Sequence, residues 1–333
     1  MRNRAHLAIV ALLLPAAALA GNADETALRP VHTYSIVARD TATGALGVAV
    51  QSHWFSVGSL VPWAEAGVGA VATQSFVDPS YGPLGLALMR GGKTAVQALE
   101  ALLRTDPHSD VRQVAMIDAR GNIAVHTGAR CIESAGHRIG TGYAVQANLM
   151  RDSSVWGAMA RAYETTPGDL AARMLAALEA GEAAGGDIRG SQSAAILIVQ
   201  GTASGRPWED RLMELRVEDH PEPVAELRRL IRLQRAYEHM NRGDLAVEHN
   251  DVDGALLEYG AAEALVPDNL EMRFWHAVAL VNAGRLEESL PIFRRVFEAD
   301  PSWADLVPRL PASGTLSADA ATLERIAAVA PGR

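Results

Sequence analysis

Between Thr33 and about Arg216 the apolar residues switch repeatedly between strand-like alternation and helix-like spacing, and this order restricts the fold more than any single motif. "TYSIVARD" and "GALGVAVQS" are β-rich runs separated by "TATG", whose glycine supplies a turn, so the two are expected to pair as a hairpin. "GVGAVATQS" reads as a further strand. "PLGLALMRGGKTAVQALEALLRT" reads as two helical pieces broken at Gly91-Gly92, with Lys93 on the exposed surface of the second. "VRQVAMID" and "NIAVHTG" form a second hairpin about "ARG", and a strand "GYAVQANL" follows. Helices are expected around residues 153 to 163 and 168 to 182, then a Gly-rich stretch and the strand "SAAILIVQ". Strands in consecutive hairpins and helices in consecutive pairs predict an α+β fold, antiparallel sheet with helices layered outside, rather than alternating strand-helix-strand units.

The chain has 333 residues, 49% of them hydrophobic, enough for two domains at roughly 150 residues each. Pro221 and Pro223 in "EDHPEP" mark a boundary, which divides the chain into a domain over 33–219 and a helical one over 223–305. In the second, "GALLEYGAAEALVPDN" and "EESLPIFRRVFEADPSW" align at an offset of 34, with Pro267 over Pro301 and Tyr259 over Phe293. That spacing resembles the tetratricopeptide repeat, a stacked helix pair. Two copies are fewer than a free solenoid needs, so they are expected to pack on the first domain, on a second copy or another protein, or on helices at 223–242. Residues 306–333 are expected to form a partly helical tail.

The start of the chain has the form of an export signal. Two arginines within residues 1–4 precede a short apolar run interrupted by proline, and Ala18-Leu19-Ala20 supplies small residues for cleavage. Residues 1–20 are thus expected to be removed, leaving 21–32 as a linker or propeptide and the protein in the periplasm or outside the cell. No later run is long and apolar enough to span a bilayer. The net charge of -9 argues against nucleic acid and favours small molecules or proteins as partners. Cys131 is the lone cysteine, so no internal disulfide supports the exported fold. Lys93 is the only lysine among 30 basic residues, which nearly excludes lysine-based chemistry.

Polar residues gather at the ends of apolar strands, where sites are usually built. They are Gln51, Ser52 and His53, then Thr73, Gln74, Ser75, Asp78 and Tyr81, then Gln146 and Asn148, and finally Asp187, Arg189, Gln192 and Ser193. Amides, hydroxyls and one carboxylate with an arginine suit orientation of a small polar substrate and donation to an oxyanion. Taken singly, such residues are more often turns and caps. His32, His53, His126 and His137 lack metal-ligand spacing, so no metal is expected, and neither a phosphate-binding loop nor a nucleophile-elbow motif occurs, so no cofactor is expected. Thr33 has two readings: the nucleophile of a processed chain terminus, or the ordinary first residue of a strand.

The motifs "TYSIVARD", "LGVAVQS", "VGSLVPWAEAGVGAVATQ", "PSYGPLGLALM", "RQVAMIDARG", "HTGARC", "GYAVQANL" and "GGDIRGSQSAAILIV" together resemble the family called domain of unknown function 1028, grouped with the Ntn hydrolase-like proteins. The resemblance implies a four-layer αββα sandwich and, at the level of chemistry, amide-bond hydrolysis. The chain departs from the family's usual pattern at Asp78, Ala147, Ile188 and Ser191. Under the implied chemistry Thr33 Oγ attacks a carbonyl, and its own α-amine serves as base. Asn148 then holds the oxyanion, while Asp187 and Arg189 fix a charged substrate group or form a structural pair. Gln51, Ser52, Gln74, Tyr81, Gln146, Arg189, Gln192 and Ser193 are the expected substrate-binding set. The resulting expectation is an exported hydrolase of a small amide or peptide-derived compound. The competing one is a non-catalytic ligand-binding or assembly protein on the same fold.

Overall fold

A computed structural model describes residues 30–331, so the expected signal segment and most of the linker lie outside the described residues. Two antiparallel sheets face each other. The first runs β1 (Pro30–Val31), β5 (Gly69–Phe76), β6 (Arg112–Asp118) and β7 (Ile123–Thr127), with β4 (Pro62–Glu65) also on β5. The second has the order β11 (Arg211–Val217), β10 (Ser193–Val199), β3 (Leu46–Ser52), β2 (Thr33–Arg39), β9 (Tyr143–Ala147) and β8 (Gly136–Gly140). The hairpins expected from "TATG" and "ARG" are present, turning through Gly44 at φ 77° and Gly121 at φ 87°. Strands β4, β8 and β11 had no clear sequence signal. The last, "RLMELRV", is an edge strand whose charged residues face solvent.

Alternation along the strands separates three apolar layers. Val37, Val48, Val50, Ala70, Ala72, Ala115 and Ile117 fill the space between the sheets. On the far side of the six-stranded sheet, Tyr34, Ile36, Ala49 and Val145 pack against α3 (Val155–Thr165) and α4 (Leu170–Ala183). On the far side of the other sheet, Val71, Val114 and Met116 meet α1 (Tyr81–Arg90) and α2 (Ala95–Thr105). Helix α2 begins in a capping box, Thr94 Oγ accepting from Gln97 N–H. Lys93 therefore precedes the helix instead of lying on it, because Thr94 caps better than it extends. Gly128 closes β7 against the chain at Asp110. A Cβ there would lie 2.2 Å from the Asp110 carbonyl oxygen. Gly128→Ala is expected to cost about 1–3 kcal/mol, read as a lower urea midpoint at unchanged m-value.

The C-terminal region is all helical. Helix α5 (Pro223–Glu248) starts on a proline at its first turn and belongs to two cores. Val224, Leu227 and Ile231 pack on the six-stranded sheet's helix layer, while Ala236 and Met240 join Ala255, Tyr259 and Ala262 of α6 (Val252–Leu265). Helices α7 (Leu270–Asn282) and α8 (Leu286–Ala299) follow, with Gly284 at φ 73° between them. Three pairs aligned by the 34-residue offset are buried in both copies, Ala255, Tyr259 and Ala262 in one and Ser289, Phe293 and Val296 in the other, while Pro267 and Pro301 are exposed in both. Short α9 (Ser302–Leu306) and α10 (Leu310–Ser313) lead to α11 (Ala320–Ala327). The expected tail is part of the core, since Leu310, Leu316, Ile326 and Ala330 are buried with Phe293 and Phe297. No described helix is long and apolar enough to cross a membrane.

Candidate functional site

Strand register collects the site at one end of the two sheets. In the six-stranded sheet Ser193 lies opposite Ser52, and Ser52 opposite Thr33. Tyr34 pairs with Ala147, so Asn148 follows beside Thr33, its N–H donating to the Thr33 carbonyl at 3.1 Å. In the facing sheet Gln74 is opposite Gln113, and Gln113 opposite Thr127. The polar side chains from the two sheets meet in a buried layer. Gln113 Oε1 accepts from Gln74 Nε2 at 2.7 Å and from Asn148 Nδ2 at 2.9 Å. Its Nε2 donates to Thr127 Oγ1 at 3.0 Å and to the Ala147 carbonyl at 2.9 Å. Ser35 Oγ donates to Gln74 Oε1 at 2.6 Å, and Gln146 Nε2 donates to the Ala72 carbonyl at 3.1 Å. Such a layer fixes its members because any change leaves a buried donor or acceptor unpaired.

Two of these amides precede residues in left-handed backbone: Ser75 at φ 72° follows Gln74, and Leu149 at φ 56° follows Asn148. Neither is glycine, so both positions carry strain that the surrounding contacts must offset. The loop carrying Asp187 is tied down here by a bridge between Met150 and Asp187 and by Ile188 N–H on the Leu149 carbonyl at 3.2 Å. Asp187 is 4% exposed and holds Arg189 in a bidentate pair at 3.0 and 2.7 Å. That pairing aims Arg189 Nη2 at the His32 carbonyl, 3.2 Å away. Ser52 Oγ donates to the same carbonyl oxygen at 2.5 Å and accepts from Thr33 Oγ1 at 3.2 Å. The peptide oxygen just before Thr33 thus has two donors, one of them linked to the Thr33 hydroxyl.

His32 itself is 3% exposed. Asn148 Nδ2 acts as a donor toward Gln113, so Asn148 Oδ1 is the acceptor 3.0 Å from His32 Nδ1, and the ring proton sits on Nδ1. Its other neighbour is Phe76, edge to face at 6.0 Å between centroids. Burial lowers the His32 pKa, opposed by the hydrogen bond to Asn148, and the Arg189 charge lowers it further, so the ring is neutral at pH 7. NMR titration is expected to give His32 a pKa below the ordinary 6.5. The unfolded ring binds its proton more readily than the folded one, so docking of His32 is strongest above about pH 6.5 and weakens as pH falls. A pKa at the ordinary 6.5 would mean that the ring is in water.

Thr33, Ser52, Gln74, Gln146, Asn148, Asp187 and Arg189 are therefore brought together, and four other candidates are not. Gln51 shares the register of Tyr34 and Ala194, which puts it on the helix-facing side of the sheet. It is fully buried there, and neither side-chain polar atom has a hydrogen-bond partner among the described residues. Tyr81 donates its hydroxyl to Asp106 at 3.0 Å, and Asp106 pairs with Arg112, which in turn donates to the Phe76 carbonyl. This chain braces the end of β5 from behind. Gln192 reaches outward to Asp219 at 3.1 Å, and Ser193 Oγ is engaged by the Trp54 carbonyl and the Val57 N–H. Conversely His32, Ser35 and Gln113 belong to the site. Gln113 and Ser35 had a readable signal as polar residues inside the apolar runs "VRQVAMID" and "TYSIVARD".

Among the described residues no group of histidine, cysteine and carboxylate side chains is arranged to hold a metal. Cys131 Sγ donates to the Arg112 carbonyl at 3.3 Å, and burial raises its pKa, which keeps the thiol protonated. Away from this layer, a cavity of about 690 Å³ opens in the helical region, lined by Tyr237, Asp244, Tyr259, Glu271, Trp275 and Asn282 among others.

No curated protein matches the chain. Among solved structures it is similar to protein SPO2555 from Silicibacter pomeroyi, described under the same DUF1028 heading as the profile below, with 31% identity and a TM-score of 0.55. The match covers 60% of this chain and 84% of that one. A family profile described as a family of unknown function, DUF1028, matches residues 33–227, starting on the threonine of the site and running into the first turns of α5. That match spans more than half of the sequence, and the chain belongs to the DUF1028 family.

Proposed function

We propose that this is an exported amide hydrolase of the Ntn type, acting on a small amide or peptide-derived substrate with Thr33 as nucleophile. The observation that carries this reading is the pair of donors, Ser52 Oγ and Arg189 Nη2, on the carbonyl oxygen of His32, the residue before Thr33. An amide whose oxygen is so held is polarised toward addition at its carbon. The relay from Thr33 Oγ1 through Ser52 Oγ to that oxygen offers the hydroxyl proton a path as Thr33 Oγ adds. Collapse then breaks the C–N bond, the nitrogen takes a proton to become a free α-amine, and an ester joins His32 to Thr33 Oγ. Water hydrolyses the ester, leaving a carboxylate on His32 and Thr33 as the new terminus.

In the processed chain the same parts serve an outside amide. The α-amine, with an ordinary pKa of about 8, accepts the hydroxyl proton and returns it to the leaving amine. Ser52 and Arg189 then take up the substrate oxyanion in place of the His32 carbonyl. Asn148 and Gln74 fix the Thr33 carbonyl, at 3.1 Å from Asn148 N–H and 3.1 Å from Gln74 Nε2, and so aim the nucleophile. Two facing sheets flanked by helix pairs support the four-layer Ntn-like assignment, although such a fold alone carries no activity. The buried equivalence of the 34-residue copies supports a tetratricopeptide-like region serving as an assembly surface.

Intact mass and N-terminal sequencing of the exported protein test the reading. A terminus at Thr33 is the expected result, and activity on amides should fall below about pH 8 as the amine protonates. A chain in which His32 remains joined to Thr33 lacks the base, and the fold then serves as a ligand-binding protein.

A further inference from the structure

The segment that precedes Thr33 occupies a position of its own. Strand β4 covers the outer edge of β5 only as far as the pair Pro62 and Ala72. Beyond it, β1 takes over the same edge, Val31 opposite Ser75 and Pro30 opposite Phe76, in antiparallel register. The chain then crosses between the sheets, placing the His32 ring against Phe76 and Asn148 and its carbonyl on Ser52 and Arg189. Three residues are thus held by strand pairing, a side-chain site and a carbonyl cradle. The cradle is the one that the proposed hydrolysis uses.

Resting on that reading of Thr33, we propose that the substrate is an extended peptide, bound as an added strand on β5 at Ser75–Phe76 and cut on the carboxyl side of a histidine-like residue. Once the His32–Thr33 bond is broken and the upstream segment leaves, the end of β5 loses its pairing strand, Asn148 Oδ1 loses its ring N–H, and Ser52 and Arg189 lose their acceptor. Buried or half-buried polar groups left this way favour an occupant that restores the same bonds. An extended peptide does so with its backbone on β5, the usual chemistry of strand addition. The residue contributing the scissile carbonyl falls where His32 lies, so it meets an acceptor at Asn148 Oδ1 and an aromatic face at Phe76. A planar side chain with an N–H donor satisfies both, whereas leucine leaves the acceptor unpaired.

The test uses the exported full chain, its terminus first established by sequencing, and three probes: the aminocoumarin amides of acetyl-Pro-Val-His, acetyl-Pro-Val-Leu and acetyl-His. The expected kcat/KM for the histidine tripeptide exceeds that for the leucine tripeptide by about tenfold or more. It also exceeds that for acetyl-His, which lacks the strand. In Phe76→Ala the histidine-to-leucine ratio falls toward one. Equal rates for the three probes by a chain that begins at Thr33 overturn the peptide site and leave the nucleophile standing. A chain still carrying His32 on Thr33 overturns the nucleophile, and the peptide site with it, because the strand position never empties.

Discussion

Thr33→Ala is expected to leave the His32–Thr33 bond uncut and to lower amide turnover by roughly a thousandfold or more. Loss of the hydroxyl removes both the attacking atom and the first donor of the relay through Ser52 Oγ. The fold should survive, because Thr33 carries strand pairing to Ser52 through its backbone, which alanine keeps. Mass spectrometry and a thermal melt on the same sample separate the two effects: an uncut chain melting near the wild-type temperature is expected. Thr33→Ser retains a hydroxyl and should be processed, at whatever rate its freer rotamer allows. A Thr33→Ala protein with wild-type turnover would remove Thr33 from the chemistry altogether.

Gln113→Ala is expected to cost about 3 kcal/mol of stability. Its carboxamide joins Gln74 and Asn148 on one side to Thr127 and the Ala147 carbonyl on the other. Removing it leaves two buried N–H donors without an acceptor and opens a void between the sheets, a loss compounded within a shared network. Urea unfolding should show the drop. The pairing of His32 with Asn148 should loosen as well, since Asn148 Nδ2 loses its strongest contact. A change under about 1 kcal/mol would mean that water replaces the amide without penalty.

How far the site was legible depended on which structural property each residue relied on. Ser52, Gln74 and Asn148 were readable because a polar residue toward the end of an apolar strand is a local pattern, and Asp187 because it stands in a Gly-rich turn ahead of one. Arg189 was readable beside Asp187, two residues away, which is close enough for a bidentate pair. Gln51 and Ser52 show where the reading stops. They are adjacent and both fully buried, yet they face opposite sides of the sheet, one toward the helices and one toward Thr33. A strand covered on both faces has no apolar-polar alternation to tell its sides apart. His32 was missed for a different reason: its partners are Asn148 and Phe76, which lie far away in sequence.

Most of the elements and their order were legible in the sequence, with β4, β8 and β11 as the exceptions. Hairpin turns at Gly44 and Gly121, the Thr94 cap and the proline opening α5 are local events, decided by backbone freedom and by hydrogen bonds a few residues long. What those elements bring together is a property of the packed fold. Facing sheets set Gln74 and Gln113 against Asn148, and the crossing of the chain from β1 to β2 put the His32 carbonyl on Ser52 and Arg189. Contacts between residues so far apart depend on strand order and register, which emerge when many weak apolar contacts are satisfied together and are carried by no short stretch of sequence.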